Sequence, residues 1–153
     1  MDVLPPLTAW LTDPHPGRGV RLADDSGGWT YVPYPELAAA AHRVAASMRA
    51  AGVRPGDVVC VLMPTGLPCL ATLFGAWAAG ATISPLPPPS FQTEDAYVEH
   101  IVAVLEQAAP ALVVASGEFT VLAARAMTGA GLPGRPWTPQ ETAAGDASEA
   151  AGA

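Results

Sequence analysis

The 153-residue chain contains no lysine and no asparagine, and its seven basic residues are all arginine: Arg18, Arg21, Arg43, Arg49, Arg54, Arg125 and Arg135. Codon bias in a GC-rich genome accounts for both absences. Whatever their origin, they exclude a Schiff-base lysine, a lysine phosphate clamp and a lysine catalytic cation from this stretch. Charge is scarce as well: 14% of residues are charged, against about 25% in an average soluble domain. The balance is acidic, with a net charge of −7 and a pI near 4.7. That excludes nucleic acid, whose phosphates select Lys and Arg clusters, and a polybasic membrane patch. Two cysteines, Cys60 and Cys69, both inside apolar runs, make neither a disulfide framework nor a zinc site. The opening MDVLPPLTAWLTDP has neither the basic nor the apolar region of a secretory signal, and a cytoplasmic location is expected.

No charged side chain occurs between Asp57 and Glu94, yet this is not a membrane span. Pro64, Gly66 and Pro68 interrupt the run early, and Pro85 with Pro87, Pro88 and Pro89 closes it. The longest proline-free apolar piece, 69–84, falls short of the ~20 residues needed to cross a bilayer. Strand, helix and strand, buried on most sides, explain it better. VVCVLM has no alternation and fits a strand covered on both faces. PCLATLFGAWAAG reads as a helix that Thr65 or Gly66 caps, with Pro68 in its first turn and Gly80 at its end. ATISPL is a second strand.

The flanking regions extend the pattern. Around the DDSGG turn, GVRLAD and GWTYV form a hairpin. In PYPELAAAAHRVAASMRAAGV, residues Leu37, Ala41, Val44, Ala45 and Met48 share one face, and Gly52 suits the left-handed stop. His42 and Arg43 lie off that face, as solvated flank residues do. TEDAYVEHIVAVLEQAA is a helix with Thr93 as its cap and Pro110 as its stop. ALVVAS is a third buried strand, after which Ser116 caps a short helix. Strands are thus predicted at 58–63, 82–86 and 112–115, and helices at 35–51, 68–79 and 96–109. Their alternation predicts an α/β fold, a small parallel sheet with flanking helices. Residues 1–128 read as an incomplete α/β subdomain and 129–153 as a Pro/Gly/Ala-rich linker or tail, with Trp137 as its one large anchor.

In order and spacing, WTY, YPEL, GVRPGD, VVCVLMPTG, LFGAWAAGATISPLPPP and APALVVAS resemble the opening of the adenylate-forming superfamily, the acyl-CoA synthetases and AMP-binding enzymes. The resemblance covers roughly 29–116. PLPPP followed by YVEHIVAVLEQAAPALVV is most similar to the fatty acyl-AMP ligase branch. The resemblance implies the first part of a large layered α/β domain in an enzyme that joins a carboxylic acid to ATP. The acyl adenylate then passes to coenzyme A or a carrier-protein thiol, in lipid or polyketide biosynthesis. ATP and Mg²⁺ are implied for the complete enzyme alone, and no cofactor or metal site is expected in this chain.

The family's phosphate loop is a Ser/Thr/Gly-rich stretch ending in Pro-Lys-Gly, and no such stretch occurs here. TGAGLPG at 128–134 has neither a lysine nor a hydroxyl-rich run. No catalytic residue is therefore assigned, and the chain alone is expected to be inactive. Thr65 and Ser84, near strand ends, either border a substrate channel in the complete enzyme or serve as a cap and a turn residue. Phe74 and Trp77, on a helix apolar nearly all round, are expected to face a partner, namely the remainder of the enzyme or a split partner chain. The alternatives are a non-catalytic remnant that binds a protein through its sheet edge or apolar helix faces, and a stand-alone nucleotide binder. MPTGLP disfavours the last, because it is not a G-x-G-x-x-G turn and Pro68 removes an N–H.

Overall fold

A computed structural model describes residues 6–139. A short 3-10 turn, Ala9–Leu11, precedes the hairpin of β1 (Gly19–Ala23) and β2 (Trp29–Pro33), which pair antiparallel. Asp24 ties the hairpin turn, its Oδ1 accepting from the N–H groups of Ser26 and Gly28, each at 2.9 Å. The Ser26 hydroxyl and then the Gly28 N–H hold the Asp24 carboxyl below its ordinary range. There follow α1 (Tyr34–Ala50), β3 (Val58–Leu62), α2 (Leu67–Ala78), β4 (Thr82–Pro85), α3 (Glu94–Ala108), β5 (Leu112–Ala115) and α4 (Phe119–Gly129).

β3, β4 and β5 form one parallel sheet in the order β4-β3-β5. The absence of alternation in VVCVLM now has its cause. Val59 and Val61 pack with Leu37, Val44 and Met48 of α1 and Ala71 and Ala76 of α2. Cys60 and Leu62 pack with Tyr97, Ile101 and Leu105 of α3 and with Ala123 and Ala126 of α4. Successive side chains of a strand point to opposite faces, so a helical layer on each face requires apolar residues at every position. Burial also pushes the Cys60 thiol up, with the Ser84 hydroxyl opposing the shift, and pushes the half-buried Cys69 thiol up. A thiol reagent at pH 8 is expected to modify Cys69 slowly and to reach Cys60 after denaturation alone. Prompt labelling of both thiols in the native chain would contradict this packing.

Helix ends fall within two residues of expectation. Thr93 caps α3, its Oγ1 accepting from the Ala96 N–H at 3.3 Å, so Glu94 and Asp95 already lie inside the first turn, near its positive end. Gly52 has φ +95°, the left-handed value its position after α1 requires. Of the two residues expected to cap α2, Gly66 holds the position, with no side-chain hydrogen bond. One cap differs from expectation. Ser116 does not cap α4 with its side chain; Glu118 holds that position, and the Ser116 carbonyl accepts from the Phe119 N–H at 3.3 Å.

The expected tail departs most. α4 runs through Gly129, and Trp137 then pairs in parallel with Val114 at the outer edge of β5. The Trp137 N–H donates to the Val113 carbonyl at 2.8 Å, and its carbonyl accepts from Ala115 at 3.0 Å. The Thr138 hydroxyl donates to the Ala115 carbonyl at 3.0 Å. Within the described part, 130–139, the predicted linker is thus pinned to the sheet. The rest of the predicted tail, 140–153, lies outside the described residues.

Candidate functional site

In open parallel sheets, ligands bind beyond the carboxyl ends of the strands. Here that edge consists of three connections: 63–66 after β3, 86–93 after β4, and 116–118 after β5. Thr65 is exposed in the first. Ser84 sits inside β4, opposite Cys60 in register, and is half-buried. In the second connection, the Tyr97 hydroxyl donates to the Pro87 carbonyl at 2.8 Å. Tyr97 is 1% exposed, so a buried ring on α3 anchors the proline-rich loop. Sequence reasoning gave Tyr97 no role and missed this bond. A tyrosine ten residues after a proline carries no local signal.

The nearest Gly-rich candidate for a phosphate loop is 128–134, and its placement is unfavourable for an anion. Thr128 and Gly129 end α4, and the stretch follows the helix C-terminus. Carbonyls, carrying partial negative charge, point outward there, and anions are disfavoured. Its N–H groups are also engaged: Gly131 donates to the Thr128 carbonyl at 3.1 Å and Leu132 to the Met127 carbonyl at 2.9 Å. Among the described residues there is no cluster of His, Cys, Asp and Glu able to hold a metal ion. A cavity of about 720 Å³ lies between α3, α4 and the strand-like tail, lined by Val98, Val121, Ala124, Arg125, Pro136 and Thr138 among others. Arg125 is engaged there by Glu94 and by Asp95, the latter at 2.7 Å.

The aromatic residues form a row. Trp10 lies 5.2 Å from Tyr34 and edge-on to Phe74 at 4.9 Å, and Phe74 meets Trp77 at 5.5 Å. Leu11 is buried against Ala38 and Ala41, and His42 Nε2 hydrogen-bonds the Leu11 carbonyl at 2.9 Å. His42 is therefore exposed but not merely solvated, since it pins the first turn to α1. Phe74 is half-buried, with Trp10 against one edge. Trp77 remains 44% exposed. No helix among the described residues is long and apolar enough to cross a membrane.

A family model described as "AMP-binding enzyme" matches residues 13–149. Feruloyl-CoA synthase from Amycolatopsis sp is 48% identical over 59 residues, 39% of this chain and 12% of that protein. Among solved structures, McyG A-PCP complexed with phenylalanyl-adenylate superposes with a TM-score of 0.71 at 16% identity, covering 84% of this chain and 23% of that one. A fatty acid AMP ligase from Legionella pneumophila superposes with a TM-score of 0.59 at 22% identity, covering 73% and 19%. The chain thus spans a small share of the length of each protein it resembles.

Proposed function

This chain belongs to the AMP-binding enzyme family, and from that membership we propose that it is the N-terminal portion of an acyl-activating ligase of the fatty acyl-AMP ligase type. The complete enzyme makes an acyl adenylate from a carboxylic acid and ATP, in the cytoplasm, for lipid or polyketide biosynthesis. One observation carries the reading: the family match extends over residues 13–149, while the chain spans 23% and 19% of the length of the two solved structures described above. ATP and Mg²⁺ then belong to residues outside this stretch. The thiol acceptor in the complete enzyme is a carrier protein. The likeness to a structure containing a PCP supports this, while the feruloyl-CoA synthase relative makes coenzyme A the acceptor to compare.

A remnant that recruits a protein by adding a strand to its sheet is the weaker reading. Thr82 and Leu86 turn their N–H groups toward β3, donating to the carbonyls of Asp57 and Val61 at 2.8 Å. By alternation Ile83 and Pro85 face the outer edge of β4, and Pro85 has no N–H to offer a new strand. At the other edge, Trp137 already occupies β5.

The purified chain is expected to release no pyrophosphate from ATP and a fatty acid. Charge developing on the transferred phosphoryl group needs preorganised donors or cations, and the chain has no lysine to supply one. Fatty-acid-dependent pyrophosphate release above a no-protein control would overturn the reading of an incomplete enzyme.

A further inference from the structure

β1 and β2 form a sheet of two strands, so each strand has an outer edge. Two hydrogen bonds fix which residues face it. The Asp24 N–H donates to the Gly28 carbonyl at 3.0 Å, and the Tyr34 N–H to the Arg18 carbonyl at 2.8 Å. Bonded pairs alternate along an antiparallel ladder, so in the observed register Val20 and Leu22 bond across to Val32 and Thr30. Gly19, Arg21 and Ala23 of β1, and Trp29 and Tyr31 of β2, therefore turn their backbone groups outward. Side chains alternate too. Val20, Leu22 and Val32 pack on the core, while Trp29 and Tyr31 stand on the opposite face, 67% and 46% exposed. The two outer edges differ in chemistry. β1 carries Arg21, whose guanidinium lies 5.7 Å from the Tyr31 ring centre, and Arg18 precedes the strand. β2, WTYVP, has no charged residue, and Pro33 blocks its last position alone. Edge strands of soluble proteins are ordinarily guarded by a charge or a proline within the row.

We infer that the outer edge of β2 pairs antiparallel with β2 of a second copy of this chain, joining two hairpins into one four-stranded sheet. The inference does not depend on the proposed function. The occupant follows from self-complementarity, since a two-fold interface must present one patch to itself. With Thr30 on the two-fold axis, Trp29 of each copy lies opposite Tyr31 of the other. Both residues of that pair offer an outward N–H and C=O, so every bond of the joined ladder is made and Pro33 is not called on. On the exposed face the two side chains form an aromatic cross-strand pair, a favourable kind. Centring the axis on Tyr31 instead would set Pro33, which has no N–H, opposite Trp29 and leave the Trp29 carbonyl unbonded. Pairing through β1 would gather the Arg21 guanidinium groups of both copies, with Gly19 and Ala23 beside them, and like charges across a strand pair are destabilising. Stable interfaces bury about 1,200–2,000 Å². One pair of five-residue strands is smaller, so the dimer is reversible and forms with rising concentration.

Sedimentation equilibrium of the whole chain, up to millimolar concentration, is expected to fit a monomer–dimer equilibrium. Tyr31→Glu keeps a cross-strand partner within its own chain, Arg21, so the hairpin is expected to stay folded by circular dichroism. Its dimer dissociation constant is expected to rise at least about tenfold, because each copy then brings a carboxylate to the joined edge. Tyr31→Phe and Ala23→Glu, the latter on the outer edge of β1, are expected to dimerise as wild type does. Thr30→Cys reads the register. Opposite residues at a non-hydrogen-bonded position have Cα atoms about 4.5 Å apart, within disulfide reach. Mild oxidation is therefore expected to trap a covalent dimer of Thr30→Cys, above the background that Cys60 and Cys69 give in wild type. A monomer at every concentration would overturn the inference, as would a dimer that Tyr31→Glu leaves intact. So would a dimer that Ala23→Glu dissociates, since that places the contact on β1, or growth past the dimer, since that means β2 adding to β1 in an open chain. Failure to trap Thr30→Cys overturns it whether or not Tyr31→Glu folds.

Discussion

Tyr97→Ala is expected to destabilise the chain by about 3–5 kcal/mol, the range for removing a large buried aromatic ring. The ring is 1% exposed and packs with Cys60, Leu62, Leu86 and Ile101. Truncation leaves a cavity beneath the β4–α3 loop and frees the Pro87 carbonyl, which the hydroxyl contacts at 2.8 Å. Against a total stability of about 5–15 kcal/mol, that is a large fraction and lowers the melting temperature markedly. Tyr97→Phe keeps the ring and loses one hydrogen bond, about 0.5–1.5 kcal/mol. The two variants also separate by pH. Burial pushes the Tyr97 phenol above its ordinary value of 10.0, so the unfolded chain gives up this proton first. The stabilisation is full below pH 10 and falls as pH rises beyond it. Denaturant melts should show an alkaline loss in wild type that is smaller in Tyr97→Phe. A loss below about 1 kcal/mol in Tyr97→Ala would show that the ring is not part of the core.

Gly75→Val is the second large effect, about 1–3 kcal/mol or more from overpacking. A Cβ at position 75 would lie 2.8 Å from the Ala41 carbonyl oxygen and 2.8 Å from Val44 Cβ. The first neighbour is backbone and cannot rotate away, so α1 and α2 must separate. Replacing a helical glycine ordinarily gains up to about 1 kcal/mol of helix propensity, and the clash exceeds it. The valine chain should melt lower and bind more hydrophobic dye. An unchanged or higher melting temperature would mean that the helices do not approach this closely.

Much of this architecture was legible in the chain because its signals are local. An uncharged, non-alternating VVCVLM requires cover on two faces, and the helices flanking the sheet supply it. The hairpin turn, the Thr93 cap and the Gly52 stop each depend on chemistry within four residues of the position concerned. The candidate site was legible mainly as an absence. Without a lysine or a hydroxyl-rich glycine loop, no packing of these residues builds the family's phosphate cradle.

Long-range contacts were not legible. GAGLPGRPWTP has no periodicity, yet Trp137 completes the sheet edge because Val113 and Ala115 leave backbone groups for it. Covering Phe74 required Trp10, which is remote in sequence and near only after α1 and α2 pack. His42 has no distinguishing neighbours along the chain, and its partner is the Leu11 carbonyl, thirty-one residues away. Composition and periodicity determined the layers and the missing chemistry, since burial and charge act on each residue type wherever it lies. Tertiary packing decided which apolar face remains open, since two surfaces of equal hydrophobicity differ only in what else reaches them. By that measure Phe74 is half-buried by Trp10, while Trp77 stays 44% exposed.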